Sequence, residues 1–349
     1  MKQALITGSS GLVGSEAVRF FDARGWRVHG VDNNMRRDFF GADGDTTENL
    51  ARLVGATTRF THHALDVRDR AAVLDLVRHE RPDVVVHCAA QPSHDLAKDR
   101  PFDDFEINAV GTLNLLEAVR RHALDSPFIF MSTNKVYGDA PNRYPLVEQA
   151  TRFEFARPAD YDGIDESCAV DRCLHSLFGA SKLAADVMVQ EYGRYFGMPT
   201  VCFRGGCLTG ANHSSAELHG FLAYLARAVR EERAYRIYGY SGKQVRDNLH
   251  AHDVCEAFYA FVQNPRPAAV YNLGGGRGNS VSVLEAIGRF ETLLGRTLKR
   301  EYVETPRVGD HICYISNLGA LQRDYPSWTV TRTLDDIFRE LARGAGGLA

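Results

Sequence analysis

The stretch LITGSSGLVGSEAVRFF, residues 5–21, places three glycines between a short apolar run and an amphipathic one. Gly8 permits a tight turn, and Gly11 lets the backbone approach a pyrophosphate. Gly14 allows close packing at a helix N-terminus, whose free N–H groups face anionic oxygens. This order predicts a first strand, a dinucleotide-binding turn and a first helix.

A carboxylate follows at a spacing typical of such a turn. The second apolar run, RVHGVD, ends in Asp32, 18 residues after Gly14. An offset of about 20 residues is typical of the acid that accepts a hydrogen bond from the adenosine ribose 2′-OH. Because this carboxylate would repel a 2′-phosphate, the sequence favours NAD over NADP. Arg36 and Arg37 lie close by and leave NADP as the alternative.

Further cofactor contacts follow from the order of the strands. Asp66 and Val67 come after the third strand and are expected to bracket the adenine. The segment HCAAQ, residues 87–91, is expected to pass beneath the cofactor at the end of the fourth strand. The cofactor-binding residues predicted from these segments are Gly8, Ser10, Gly11, Leu12, Val13, Gly14, Asp32, Asn33, Asp66, Val67, Ala89, Ala90 and Gln91.

Short β-rich runs alternate with helical segments from the start of the chain to about residue 205. QALITG, RVHGVD, VVVHCAA, FIFMST and TVCFRGG are typical of strands, and residues 105–122 and 184–196 carry apolar side chains at helical spacing. The alternation predicts an α/β fold with a Rossmann-type, doubly wound parallel sheet. We expect residues 1–205 to form the NAD-binding domain, to which the chain returns in parts of 245–275, and 206–349 to form mainly a smaller substrate-binding lobe.

Composition excludes several classes of function. The chain has 349 residues, and Lys+Arg 41 nearly balances Asp+Glu 44, so no strong positive field favours nucleic acid. No apolar run reaches the roughly 20 residues of a membrane span, and we expect a cytoplasmic protein without a membrane partner. Seven cysteines without a short Cys/His cluster indicate reduced thiols rather than disulfides, and no metal site is predicted.

Taken in order, these motifs resemble those of the extended short-chain dehydrogenase/reductase family. The glycine turn is followed by HCAAQ, EINAVGTLNLLEAVR, MSTNKVYG, an aromatic-x-x-x-Lys pair and KQVRDNLHAHDV, so the likeness covers nearly the whole chain. Within the family, STNKVYGD, IDES and GKQVRD are most similar to the CDP-paratose (CDP-tyvelose) 2-epimerases. The resemblance implies a bound NAD that takes a hydride from a sugar carbon, leaves a transient keto-sugar and, in epimerases, returns the hydride to the opposite face.

The resemblance also implies roles for individual residues. Lys182 would hold the nicotinamide ribose hydroxyls and supply positive charge. Thr133, with Ser132 beside it, would hydrogen-bond the reacting hydroxyl of the sugar. Asn108 is assigned to the cofactor region, where we expect it to stabilise the backbone rather than to take part in chemistry.

The residue that accepts the substrate proton departs from the family pattern. The family has a tyrosine four residues before the lysine, whereas HSLFGASK has Phe178, which cannot carry a proton. Loss of a general base costs about 10²- to 10⁴-fold in rate. A relocated base, an engineered substitution and a binding protein without turnover all remain open. The groups considered as replacements are His175, Cys207, Lys135 and Tyr137.

The last motifs predict the substrate end of the site. The family places arginines on the substrate pyrophosphate at the positions of Arg246 and Arg307, with Asp310 near a ribose or sugar. Guanidinium groups match phosphate oxygens through two-point contacts. Further candidate contacts are Asn134, His213, His219 and Lys243. We expect a nucleotide-sugar substrate and a homodimer.

Three functions follow, in order of preference. The first is an NAD-dependent nucleotide-sugar epimerase, an isomerase acting at C2 of a CDP-sugar or a related nucleotide sugar. The second is a dehydratase, although the Asp-Glu pair after the strand-five Thr of hexose 4,6-dehydratases is replaced here by Asn134 and Lys135. The third, suggested by Phe178, is a catalytically weak protein that binds NAD and a nucleotide sugar.

Overall fold

A mixed α/β architecture is built from short strands and longer helices. The structure is a computed structural model that describes residues 1–210 and 220–344. The strands are β1 (Gln3–Thr7), β2 (Arg27–Val31), β3 (Phe60–His63), β4 (Val84–His87), β5 (Phe128–Thr133), β6 (Leu146–Glu148), β7 (Phe153–Phe155), β8 (Thr200–Gly205), β9 (Cys207–Thr209), β10 (Tyr235–Tyr238), β11 (Val245–His250), β12 (Ala269–Leu273), β13 (Ser280–Ser282), β14 (Arg300–Val303) and β15 (Cys313–Tyr314).

The helices alternate with the strands in the first half of the chain, and the second half contains both. They are α1 (Leu12–Ala23), α2 (Arg36–Phe40), α3 (Thr47–Ala56), α4 (Arg70–Glu80), α5 (His94–Ala97), α6 (Pro101–Phe105), α7 (Gly111–His122), α8 (Ser176–Phe196), α9 (Phe221–Arg230), α10 (Ala251–Gln263), α11 (Val283–Leu294), α12 (Gly319–Asp324) and α13 (Leu334–Arg343). A π-helical turn, Glu106–Val110, joins α6 to α7.

Seven parallel strands form the central sheet, in the order β12-β8-β5-β4-β1-β2-β3. One face is covered by a cluster of buried side chains from α1, α10 and α12, and the other by side chains from α4, α7 and α8. Because both faces are covered, central strands such as β4 and β8 are buried along their whole length. The predicted Rossmann-type, doubly wound fold is confirmed.

A separate apolar cluster forms in the second half of the chain. Helices α9, α11 and α13 pack together with residues of β10 and β13. Ser282 and Thr333 cap α11 and α13, each within a reciprocal capping box, which fixes where these helices begin. The chain does return to the central sheet through β12, while β11 pairs with β9, β13 and β15.

Two predicted helices have different bounds in the structure. The helix expected over 105–122 is interrupted by the π-helical turn before Gly111, where a Cβ would lie 2.7 Å from Val67 Cγ2. The helix expected over 184–196 begins earlier, at Ser176. Among the described residues, no helix has the length and apolar character needed to cross a membrane.

Candidate active site

A cleft of about 450 Å³ lies at the carboxyl ends of the central strands. Strand β1 stands between β4 and β2, so the chain order reverses there, and doubly wound sheets bind ligands at such a switch point. The predicted site residues that line this cleft are Gly8, Gly11, Leu12, Val13, Gly14, Asp32, Asn33, Asp66, Val67, Ala89, Ala90, Ser132, Thr133, Asn134, Lys135, Phe178, Lys182, Cys207, Arg246, Arg307 and Asp310.

The glycine turn has the geometry of a dinucleotide cradle. Gly8 has φ +67°, and a Cβ there would lie 2.8 Å from the amide nitrogen of Ala89. A Cβ at Gly14 would lie 2.0 Å from Gly8 O, so close packing requires glycine at both positions. At Gly11 a Cβ would meet only Gly8 O, at 3.3 Å, which leaves the approach from the cleft open. The turn therefore fits the pyrophosphate of a dinucleotide.

Asp32 is held at the end of β2 by two backbone amides. Its carboxylate accepts hydrogen bonds from Ser10 N at 2.9 Å and from Asn34 N at 2.8 Å. Ser10 itself does not line the cleft and acts through this backbone contact. Arg36 lines the same end, and burial lowers its pKa to about 10. The exposed Arg37 lies 3.5 Å from Asp45.

The expected adenine contacts are linked to one another. Asn33 Nδ2 donates to Asp66 Oδ2 at 3.1 Å, and Arg68 donates to the same carboxylate. Gln91 and Asn108 do not line the cleft. Asn108 Oδ1 accepts from Gln91 N at 3.0 Å, and its Nδ2 donates to Ser181 Oγ at 3.1 Å. These two residues tie the loop after β4 to α8, which is the structural role expected for Asn108.

The two hydroxyls at the end of β5 point to different partners. Ser132 Oγ donates to Asp186 Oδ2 at 2.6 Å, inside the protein, and Asp186 is also paired with Arg204 at 2.9 Å. Ser132 therefore lines the cleft, while its O–H is donated to Asp186 rather than into the cleft. Thr133 Oγ1 accepts from Lys135 N at 3.2 Å, which still leaves its O–H to donate into the cleft.

Lys182 projects from α8 into the middle of the cleft. Its Nζ donates to Met131 O at 2.8 Å and lies 3.9 Å from the centroid of the Phe130 ring. Burial lowers its pKa to about 8, although the charges of Asp186 and Asp104 act in the opposite direction. This amine therefore titrates nearer to neutral pH than an ordinary lysine.

Phe178 lies one helical turn before Lys182 and lines the cleft. It is only 7% exposed, so the ring is part of the wall. Tyr137 does not line the cleft: it is fully buried, and its hydroxyl donates to Asn272 Oδ1 at 2.8 Å. Tyr137 is thus a core residue and not the missing phenol of the site.

His175 lies outside the cleft. It precedes the first residue of α8, and its Nε2 donates to Val170 O at 2.8 Å, which points the ring at backbone carbonyls. Its other nitrogen lies 3.4 Å from Lys135 O. His175 therefore lies just before α8, outside the cleft that Phe178 lines.

Lys135 and Cys207 are the remaining replacement candidates in the cleft. Lys135 Nζ donates to Gly309 O at 2.9 Å and lies 3.5 Å from Asp310 Oδ1. Burial lowers the pKa of Lys135, and Asp310 partly opposes that effect. Burial raises the pKa of Cys207 to about 11, so its thiol stays protonated at neutral pH.

Two arginines meet at the far end of the cleft. Arg246 Nη2 donates to Asp310 Oδ1 at 2.5 Å. Arg307 stacks 4.5 Å from the centroid of the Tyr238 ring and lies 3.7 Å from Asp95. Although burial acts to raise it, Arg246 and Lys135 hold the pKa of Asp310 well below its usual range. This end combines fixed positive charge with one ionised carboxylate.

The other predicted substrate contacts divide into three cases. Asn134 lines the cleft and is buried. Lys243 does not line the cleft, and its Nζ is paired with Glu148 Oε1 at 2.8 Å. His213 and His219 lie outside the described residues.

Sequence reasoning missed several residues of the cleft wall. His94, whose pKa burial lowers to about 4, lies beside Asp95 at the start of α5. The sequence feature that could have identified His94 is its position just after HCAAQ, in a loop that follows a central strand. The aromatic residues at the far end are Phe221, Tyr224, Tyr235 and Tyr238. They belong to no motif in the sequence: Phe221 and Tyr224 lie on α9, and Tyr235 and Tyr238 lie on β10.

Residues 4–274 match the model of the NAD dependent epimerase/dehydratase family. CDP-paratose 2-epimerase of Salmonella typhi is 36% identical over 289 residues, which cover 80% of this chain and 81% of that protein. The dTDP-glucose 4,6-dehydratase of Escherichia coli is 28% identical over 297 residues, 82% of this chain and 75% of that protein.

Solved structures show the same fold. The complex of UDP-glucose 4-epimerase from Thermus thermophilus with NAD has a TM-score of 0.79 and 25% identity, covering 99% of this chain and 100% of that chain. UDP-glucuronic acid 4-epimerase from Bacillus cereus has a TM-score of 0.80 at 21% identity, with the same coverage. The match to the family model spans the cofactor turn, the cleft residues of β5 and α8, and the return of β12 to the sheet. The chain belongs to the NAD-dependent epimerase/dehydratase family, whose cofactor is the NAD that the sequence predicts.

Proposed function

We propose that this chain is an NAD-dependent nucleotide-sugar epimerase that inverts C2 of a CDP-sugar or a related nucleotide sugar. One observation carries the proposal: a single cleft joins the glycine turn, the pair Thr133 and Lys182, and the arginines at the far end. Such a cleft suits a dinucleotide and a nucleotide sugar placed end to end. The likeness to a CDP-paratose 2-epimerase supports the choice of base and carbon.

Different residues of the cleft would hold different parts of the cofactor and the substrate. Asp32 would hold the adenosine ribose, and Lys182 the nicotinamide ribose. NAD, when bound, supplies the acceptance and return of a hydride at the sugar carbon. Thr133 would donate its hydroxyl to the reacting oxygen of the sugar. Arg246 and Arg307 would hold the substrate pyrophosphate through charge-assisted hydrogen bonds.

Lys182 is the group that we assign to accept the substrate proton in place of the absent phenol. It lies one helical turn from Phe178 and is buried in the cleft, with a pKa of about 8. A general base works best when its pKa lies near the working pH, which Cys207, with a pKa of about 11, does not satisfy. Lys135 is held by Gly309 and Asp310 and serves better as a fixed positive charge for the substrate.

The division of the chain into an NAD-binding domain, 1–205, and a substrate-binding lobe, mainly 206–349, is part of this proposal. It is supported by the separate apolar core around α9, α11 and α13. The homodimer and the cytoplasmic location remain predictions from the sequence.

A panel of nucleotide sugars with different bases tests the proposal. Each is incubated with the protein and NAD, and products are followed by proton NMR and mass spectrometry. We expect an epimer of unchanged mass from a CDP-sugar. Binding of NAD and nucleotide sugar without any product would contradict the proposal and leave the non-catalytic alternative.

Dehydration is the second candidate, and the likeness to dTDP-glucose 4,6-dehydratases favours it. That reaction needs an additional acid or base beside the hydride chemistry. Lys135 occupies the position after Asn134 where the dehydratase motif has a carboxylate, and it lines the cleft. A product lighter by one water in the same panel would decide for this candidate.

A further inference from the structure

Three potential metal ligands converge at the edge of the central sheet, away from the glycine turn. His29 lies on β2, His63 ends the edge strand β3, and Glu80 is the last residue of α4. One ligand atom from each residue lies within 4.8 Å of the other two. The two histidines are 34 positions apart in the chain, so no short sequence motif brings them together.

The hydrogen bonds around His29 determine which ring nitrogen carries its proton. Gln3 Nε2 donates to Glu80 O at 2.9 Å, which turns Gln3 Oε1 toward His29 Nε2 at 3.1 Å. A carbonyl oxygen only accepts, so Nε2 of His29 carries the hydrogen. Nδ1 is then the nitrogen with the free electron pair, and it faces His63 Nε2 at 3.3 Å.

The separation of the two nitrogens suits a shared cation. In a tetrahedral zinc site with Zn–N bonds of about 2.0–2.1 Å, neighbouring ligand atoms lie about 3.3–3.4 Å apart. A metal-bound histidine commonly donates its second N–H to a carbonyl or carboxylate, as His29 does to Gln3. The Glu80 carboxylate now lies 3.3 Å from the proton-bearing Nε2 of His29. One ligand atom of each residue lies within 4.8 Å of the other two, so a rotation of the Glu80 side chain toward Nδ1 would complete a His₂Glu set.

The position of Glu80 also favours a cation there. Glu80 closes the C-terminus of an 11-residue helix, where the helix dipole places partial negative charge. The Glu80 side chain is 29% exposed, so an ion can enter from solvent.

We propose that His29, His63 and Glu80 form a binding site for one divalent transition-metal ion such as zinc. The site would tie the edge strand β3 to β2 and to the end of α4. Two nitrogens and one carboxylate oxygen form a donor set suited to zinc, nickel or copper rather than to magnesium or calcium.

Calorimetric titration of ZnCl₂ into chelator-stripped protein, without NAD, tests the site. We expect one zinc ion per chain, and a loss of affinity of about tenfold or more in His63→Gln and in Glu80→Gln. His79→Gln is the matched control, because its Nδ1 contacts Asp75 O rather than the cluster. NAD binding serves as the check of folding, and if His63→Gln fails that check, Glu80→Gln, whose side chain is 29% exposed, decides.

Three results would overturn the site. They are no stoichiometric zinc binding to the wild type, full affinity in a folded His63→Gln and in Glu80→Gln, or an equal loss in His79→Gln. Cobalt provides a second measurement, because seven free cysteines are alternative ligands. The Co²⁺ protein should show d–d bands without a thiolate charge-transfer band; a strong charge-transfer band would place the metal on cysteine.

Discussion

The two ends of the cleft are built in different ways. At the cofactor end, the glycine turn and Asp32 act largely through the backbone, and the contact from Ser10 N to Asp32 spans only 22 positions. At the substrate end, side chains from distant segments meet, and Lys135 and Asp310 are 175 positions apart. A local motif therefore predicts the first end, whereas the fold assembles the second.

The two ends also differ in charge. Asp32 is the carboxylate at the cofactor end that two backbone amides hold. At the substrate end, Lys135, Arg246 and Arg307 lie near Asp310 and Asp95, and Arg236 also lines the cleft, so basic side chains outnumber acidic ones among these residues. This difference predicts that substitutions at one end affect one ligand and leave the other bound.

The largest effect is expected at the centre, where both ends meet. Lys182→Met keeps the length of the side chain and removes the amine, and we expect kcat to fall about 10²- to 10⁴-fold, as for loss of a general base. Lys98→Met, on an exposed lysine paired with Asp99, is the control. More than a tenth of wild-type kcat in Lys182→Met would contradict the assigned role.

The pH profile of the wild type separates a base from a fixed cation at position 182. Below its pKa of about 8 the amine is protonated and cannot accept a proton, whereas above it the amine is neutral and can. We therefore expect kcat to rise about tenfold per pH unit below that value and to level off above it. A kcat that falls as the pH rises from 6 to 9 would show that a group other than Lys182 accepts the substrate proton.

Next in size are the two arginines of the substrate end. Each charged hydrogen bond lost in Arg246→Ala or Arg307→Ala should cost about 1.5 to 3 kcal/mol, which is about 10- to 150-fold in the Kd of the nucleotide sugar. NAD affinity should stay unchanged. Arg289→Ala, at an exposed pair with Asp335, is the calorimetric control. Unchanged nucleotide-sugar affinity in both variants would show that the substrate does not bind at these arginines.

A smaller effect is expected at the cofactor end. Asp32→Ala removes the carboxylate that would repel a 2′-phosphate, so the preference for NAD over NADP should fall by about tenfold. Titration of both cofactors measures the ratio, with Asp38→Ala, an exposed acid on α2, as the control. Tighter binding of NADP than of NAD by the wild type would show that Arg36, rather than Asp32, selects the cofactor.

The smallest effect is expected at Phe178, where the wall of the cleft is apolar. Phe178→Tyr adds a phenol beside Lys182, the amine that we propose accepts the proton, so kcat should change by less than about tenfold. Tyr137→Phe is not a suitable control because Tyr137 bonds Asn272 in the core, and Phe196→Tyr, far along α8, serves instead. A hundredfold gain would mean that the wild type is a handicapped enzyme without a relocated base.

The sequence predicted those residues of the site that short local motifs place at strand ends. The glycine turn, Asp32, Thr133 and Lys182 all line the cleft, because each lies at the end of a strand or on a helix facing it. The fold class followed from the alternation of strands and helices. The motifs therefore located the strand ends, and the parallel sheet brought those ends together.

The rest of the site depends on contacts between residues far apart in the sequence, which motif spacing does not predict. The hydroxyl of Ser132 is bound by Asp186, 54 positions away, and His175 falls one residue before its helix begins. Neighbours in a strand point to opposite faces, so adjacent residues of one motif can have different partners. The sequence did not point to the cluster of His29, His63 and Glu80 either, because its members come from three separate elements.

The fate of the hydrogen at the inverted carbon tests the central claim most directly. A CDP-sugar that the protein epimerises is incubated with the protein and NAD in D₂O, and both epimers are followed by proton NMR and mass spectrometry. If a hydride is taken and returned within the cleft, the inverted carbon keeps its hydrogen and the carbon-bound mass is unchanged. Deuterium at that carbon would show direct deprotonation and exchange with solvent, and would contradict the role given to NAD.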